Sequence, residues 1–222
     1  MPVDTILADD PTAAAVLGAV PCYPVPPSGR SPAIDALRAS RAGHGFIVGN
    51  DGLMLILRRP WLELDQCITT EIAGHLPYGP TGGNGGGLRC GLIPHDIWTL
   101  AIDHFRAALP NEAAAFVIWD EHSKEFALEF PTIDEATPSR LVYRTPQPGL
   151  GCHVICDLHS HGRAAAFFSP TDDEDDLHST KIAVVVGQLG RDRGPQFAAR
   201  LCAGGMFLLM PNPPFEGLAN AA

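Results

Sequence analysis

Basic residues are scarce in this chain of 222 residues. Fifteen Lys and Arg stand against 25 Asp and Glu, giving a formal net charge of −10 and a pI near 5.2. Without a broad positive surface there is little to neutralise phosphates, which argues against nucleic acid and anionic membranes and in favour of a protein or peptide partner. Long hydrophobic runs are also missing, since no stretch approaches the roughly 18 to 20 apolar residues that a membrane span needs. Near the start, a short apolar run within MPVDTILADDPTAAAVLGAVP is preceded by Asp4, Asp9 and Asp10 where a signal peptide would place Lys or Arg, so secretion is not expected. The six cysteines, Cys22, Cys67, Cys90, Cys152, Cys156 and Cys202, include no C-x-x-C pair. That usage fits a reducing cytoplasm, with thiols serving as small buried side chains. Internal repeats are absent. The glycine-rich segment 82–87 lacks the Gly-Lys-Ser/Thr ending of a phosphate loop, so a nucleotide site is not expected there.

What remains is an ordinary globular composition, 45% apolar and 18% charged, enough to bury a real core. The strongest boundary signal is LPYGPTGGNGGGLRCG, residues 76–91, where Pro and Gly crowd between two regularly patterned stretches. It reads as a linker or mobile loop that would let the first part of the chain act as a lid. Two units follow from this reading: residues 1–90, a small α+β unit ending in the linker, and residues 91–222. In the first, GFIVGNDGLMLILRRPW carries two apolar runs around Asn50-Asp51-Gly52, the pattern of a β-hairpin. In the second, Ile93, Ile97, Leu100, Ala101, His104, Phe105 and Ala108 fall at helical spacing between Pro94 and Pro110. Short apolar runs then predict strands at AAAFVIWD, FALEF, RLVYRT, CHVICDLH, KIAVVVGQL, FAARLC and MFLLM. Between the fourth and fifth of these, SPTDDEDDLHS predicts a helix start, with Ser169 as cap, Pro170 in the first turn and acids at the positive end of the dipole.

Chemistry concentrates in DLHSHGRAAAFFSPTDDEDD, residues 157–176. His159 and His161, two apart on a strand, point to one face and can share a metal ion. Asp172, in the first turn of the next helix, can complete a two-His, one-Asp set that leaves a fourth zinc position to water, the arrangement a hydrolase needs. A water so activated needs a base, and Glu112, between the amphipathic helix and a buried-looking strand, is the best candidate. Ser169 can donate a hydrogen bond to the oxyanion that forms on attack, and reads equally well as a plain helix cap. Asp173 is a rival to Asp172, and Glu121, Glu125 and Glu129 are rivals to Glu112. His153 and His178 flank the site and read more simply as satisfied polar residues, and Cys152 and Cys156 as core packing.

With His159-Ser160-His161, Ser169 and Asp172 at this spacing, the chain resembles the JAMM (MPN+) family, whose pattern H-[ST]-H-P-x(6)-S-x(2)-D it matches at every position except Gly162, where the family has Pro. Pro110-Asn111-Glu112 followed by AAAFVIW is similar to the acidic segment of that family. The resemblance spans about residues 92–212 and implies a JAMM fold, a mixed sheet flanked by helices. It also implies one Zn2+ on His159, His161 and Asp172, with Glu112 as general base and acid and Ser169 at the oxyanion. The Gly162 departure is expected to alter loop stiffness more than activity. The whole chain, through its GHGF, DGL and RRPW segments, also resembles the PRTRC system protein A family of bacterial proteins. These accompany ubiquitin-like, conjugating-like and activating-like partners, which implies a ubiquitin-like protein or its conjugates as substrate. A JAMM protease acting on a sulfur-carrier protein, and a non-catalytic JAMM-like scaffold that binds partners, remain open alternatives.

Overall fold

The computed structural model describes residues 19–71, 74–190 and 194–218. The early apolar run considered as a leader lies almost wholly outside them. Among the described residues no helix is long and apolar enough to cross a membrane. The chain divides into two compact units, Met1–Arg89 and Cys90–Ala222.

The first unit holds a five-stranded sheet in the order β1(Cys22–Pro24), β2(Gly43–Val48), β3(Leu53–Arg59), β4(Leu62–Thr69), β5(Gly85–Leu88), together with helix α1(Pro32–Ala39). The hairpin read from Asn50-Asp51-Gly52 is present: β2 and β3 pair antiparallel, Val48 opposite Leu53, with Gly49 N–H donating to the Gly52 carbonyl at 2.9 Å. Ser31 caps α1, accepting from Ile34 N–H, and Ile34 packs with Val25, Ile47, Met54 and Ile56 to form the core. The Gly-rich segment corrects the sequence reading. It is not a free linker, because Gly85–Leu88 forms the edge strand β5, paired antiparallel to Leu62–Asp65 of β4. Just before it, Thr81 is buried, and its N–H donates to Asp51 at 2.7 Å. Glycine is needed at Gly86, which has φ +131° and passes so close to β4 that a Cβ would lie 2.3 Å from the Glu63 carbonyl oxygen. Glycine's dearth of apolar side chain hid the strand.

The second unit is built on a six-stranded mixed sheet, in the order β13(Met206–Met210), β12(Gln196–Ala203), β11(Lys181–Gly187), β10(Cys152–Ser160), β6(Ala114–Asp120), β7(Phe126–Glu129). A separate two-stranded sheet, β8(Thr132–Thr137) with β9(Arg140–Arg144), follows β7; of these strands only β9 is legible as an apolar run. Helix α2(His95–Ala108) packs on β6 and β7 and buries Ile97, Trp98, Ala101, Ile102 and Phe105. Its buried face is thus rotated from the one expected: Leu100 is exposed, and Ile93 lies outside the helix, pairing with Phe215. The expected helix after Ser169 is α3(Pro170–Asp176).

Two features of this sheet place the site. β10 and β11 are parallel, so the chain must cross over between them, and α3 lies in that crossover with its N-terminus following the carboxyl end of β10. Open sheets bind ligands outside the carboxyl ends of such strands. β6 runs antiparallel to β10, with Ala114 opposite His159, so the start of β6 comes to that same end.

The strand at Gly86 can be tested directly. Gly86→Ala is expected to destabilise the protein by about 1–3 kcal/mol or more, because the new Cβ meets backbone in a conformation that L residues avoid. Gly85→Ala, which meets open space, is expected to stay within about 0.5 kcal/mol. Urea unfolding of both variants checks this, and equal effects would mean that the segment is not a paired strand.

Candidate metal centre

His159 is the penultimate residue of β10 and His161 follows the strand end, held by its own N–H to the Val186 carbonyl at 2.8 Å. Alternation puts Asp157, His159 and His161 on one face of the sheet. The ligand-type atoms of His159, His161 and Asp172 all lie within 4.8 Å of one another. His159 Nε2 is 3.3 Å from His161 Nε2 and 3.4 Å from Asp172 Oδ1. A tetrahedral zinc with bonds of about 2.0–2.1 Å sets neighbouring ligand atoms about 3.3–3.4 Å apart, so these two spacings fit such an ion.

The surroundings orient each donor. The His161 Nδ1–H faces the Ala165 carbonyl at 3.2 Å, which leaves Nε2 unprotonated and turned toward His159. Burial, and next the charge of His159, lower the His161 pKa, favouring the neutral ring that a metal ligand requires. The Ala165 carbonyl belongs to a loop that rests on the end of β11. Gln188 N–H donates to Ala164 O at 2.6 Å and Leu189 N–H to Gly162 O at 2.9 Å. Gly187 admits this loop, since a Cβ there would lie 2.5 Å from Ala164 O and from Ala166 N. Phe167 meets the His161 ring edge-on at 4.7 Å.

Asp172 is set by a capping box at the start of α3. Asp172 N–H donates to Ser169 Oγ at 3.3 Å, while Ser169 N–H and Oγ–H donate to Asp172 Oδ2 at 2.6 and 2.7 Å. One carboxylate oxygen is consumed in the box, and Oδ1 is left facing His159. Ser169 is therefore the helix cap that its sequence context foretold, and its single proton rests on Asp172.

Glu112 lies just before β6, half-buried. Its N–H donates to Thr137 O of β8 at 2.9 Å. Burial pushes its pKa above the ordinary carboxylate value, with His161 pulling it down and Asp172 adding to the rise. The structure thus gathers all five candidates, and separates the rivals. Glu121 and Glu125 belong to the turn at the far end of β6, about 20 Å along the strand at ~3.3 Å per residue. Glu129 pairs opposite Phe116 on an exposed edge. Asp173 points to Arg200 rather than to the histidines. His153 lies 3.5 Å from Glu121, and His178 is exposed.

Ser160, between the two histidines, carries a role that the sequence reading passed over. It is fully buried, its Oγ accepts from Ala113 N–H at 3.0 Å, and its N–H donates to Ala113 O at 2.8 Å. Strand alternation alone turns Ser160 away from its histidine neighbours and into the core, where a hydroxyl must find a partner. That partner is the residue next to Glu112.

A mixed sheet with a His-x-His pair at the carboxyl end of a crossing strand, and an Asp in the capping box of the crossover helix, defines an α+β domain with a group of side chains that could hold a metal ion. Residues 94–201 match the family model described as prokaryotic homologs of the JAB domain, and the second unit contains a JAMM/MPN-type domain. Residues 10–85 match a model described as Domain of unknown function (DUF2016). Among solved structures, the solution structure of protein DSY2949 from Desulfitobacterium hafniense is similar at 15% identity, covering 56% of this chain and 94% of that one, with a TM-score of 0.40. No curated protein sequence matches the chain.

Gly162, the departure from the family pattern, has φ +53°, and a Cβ there would lie 3.3 Å from the Pro110 carbonyl oxygen. Proline, locked near −65°, cannot take this conformation. Restoring the family residue with Gly162→Pro is therefore expected to destabilise the domain by about 1–3 kcal/mol or more. It should also weaken metal binding, because the loop that orients His161 must shift. Thermal unfolding with zinc titration checks this, and a variant as stable as wild type would contradict the assigned backbone.

Proposed function

We propose that the second unit is a zinc-dependent peptidase or isopeptidase that hydrolyses a bond near the C-terminus of a ubiquitin-like protein. The observation that carries this reading is the convergence of His159, His161 and Asp172 at one sheet end, with the half-buried Glu112 carboxylate coupled to them. The residues fit zinc in donor type, in spacing and in the neutral state favoured for His161. When bound, zinc supplies a Lewis acid strong enough to make water a nucleophile near neutral pH.

Glu112 would take a proton from the attacking water and return it to the leaving amine, a task suited to a carboxylate whose pKa burial raises. Backbone hydrogen bonds to Thr137 on one side and, through Ala113, to Ser160 on the other anchor the chain at Glu112 to the strand end that carries the histidines. Ser169 serves the oxyanion by turning its hydroxyl from Asp172 Oδ2, where its proton rests. The β8–β9 hairpin, joined to Glu112 through Thr137, forms a sheet of two strands among the described residues, and an extended C-terminal tail can add to the edge of such a sheet by backbone hydrogen bonding. The acidic surface and the likeness to PRTRC system protein A support ubiquitin-like, conjugating-like and activating-like proteins as partners in a cytoplasmic setting.

Elemental analysis of the purified chain tests the reading. About one zinc per chain is expected in wild type, lost in His159→Ala and in Asp172→Ala. Glu112→Gln is expected to keep its zinc while cleavage of ubiquitin-like fusions, followed by mass spectrometry, falls by about 10²–10⁴. Wild type without zinc after reconstitution would sink the enzyme reading and leave a partner-binding scaffold in its place.

A further inference from the structure

Helix α3 has the sequence PTDDEDD, with no apolar side chain to bury, and a helix of seven residues has little stability of its own. Its one buried residue is Asp176. Something other than hydrophobic packing must therefore hold Asp172 in place beside the histidines. Arg200 on β12 meets the helix at three points. Its Nη1 donates to Asp173 Oδ1 at 2.5 Å, and its Nη2 and Nε donate to Asp176 Oδ2 at 2.7 and 3.2 Å. Phe168, immediately before the cap, lies 3.9 Å from the guanidinium, with Phe207 of β13 also at 3.9 Å. Lys181 on β11 supplements the grip, bonding Asp176 Oδ1 at 2.8 Å and Asp157 Oδ2 of β10 at 2.5 Å.

Resting on the metal-centre reading above, we propose that Arg200 is a positioning residue for the metal ligand Asp172. It acts through Asp173 and Asp176, and the clamp sets the site's affinity for zinc. Asp173 adjoins Asp172 in the chain, and Asp176 lies one turn further, so a guanidinium bridging the two fixes both the rotation and the height of the helix. A lysine in its place keeps the charge but lacks the fork that reaches two carboxylates at once, and it stacks less well between two rings. Asp157 and His159 share a strand face, so the clamp and the ligands rest on the same sheet surface.

The test measures zinc affinity of the full chain by chelator competition, with the visible absorption of bound cobalt as a readout of ligand geometry and thermal unfolding in parallel. The variants are Arg200→Lys, Asp173→Ala and Glu174→Ala. The last removes an equal charge from an exposed position on the same helix outside the clamp. Arg200→Lys and Asp173→Ala are expected to bind zinc about 10–100-fold more weakly than wild type, with an altered cobalt spectrum. Glu174→Ala is expected to stay within about twofold, since an exposed charge is screened. Should Arg200→Lys fail to fold, Asp173→Ala decides, because it leaves Arg200 paired with Asp176. Asp173→Ala binding zinc as tightly as Glu174→Ala would overturn the clamp alone. Wild type that binds no zinc would overturn the metal centre, and the clamp with it.

Discussion

The second unit rests on a problem of charge. Its crossover helix is acidic from its third residue onward, and one of those acids, Asp176, is buried where the helix meets the sheet. An unpaired carboxylate would not tolerate that burial. Lys181 and Arg200 resolve it from neighbouring strands, and although burial alone would raise the Asp176 pKa, hydrogen bonds and charge from these two hold it below its ordinary value. Burial alone would lower the pKa of each partner, but the carboxylates raise both. Once the helix is held in this way, the capping box at its other end delivers Asp172 to the histidines. Packing, local helix chemistry and the candidate metal centre are successive consequences of one ionic arrangement.

A second joint is made of backbone. Ser160 and Ala113 exchange hydrogen bonds at the point where β10 and the chain leading into β6 come together. The residues on either side of Ser160 are the two histidines, and the residue before Ala113 is Glu112. The groups read as ligands and the group read as base are therefore parts of one hydrogen-bonded unit, and motion of one strand end carries the other with it. Such coupling suits chemistry in which a proton must travel a fixed short distance between groups held at defined positions.

Much of this was legible in the residues. The His-x-His pair, the Ser-Pro-Thr-Asp helix start and the Asn-Asp-Gly turn each announce a geometry through local rules, and each is found where those rules put it. The Gly-rich strand was not legible, because β5 contributes backbone hydrogen bonds and close approach rather than side-chain pattern. The buried face of α2 was misjudged at Leu100 and Ile102 because an apolar residue lies on almost every side of that helix, so spacing alone does not choose among them. The roles of Lys181 and Arg200 were hidden for another reason. Asp157 lies 24 residues from Lys181, and Asp173 and Asp176 lie 27 and 24 residues from Arg200, so the sheet order is what brings these pairs together.

Gly187 shows how a residue without a side chain can set a distance. The loop carrying Ala164 to Ala166 lies directly on its Cα, at the spot that any other residue would fill. The depth of the His161 ring below the loop is therefore measured from bare backbone, with no rotamer to fluctuate between the two. A wall built of peptide groups is stiffer than one built of side chains. The outer surface of the loop carries the exposed Arg163, while its inner contour is set by the sheet.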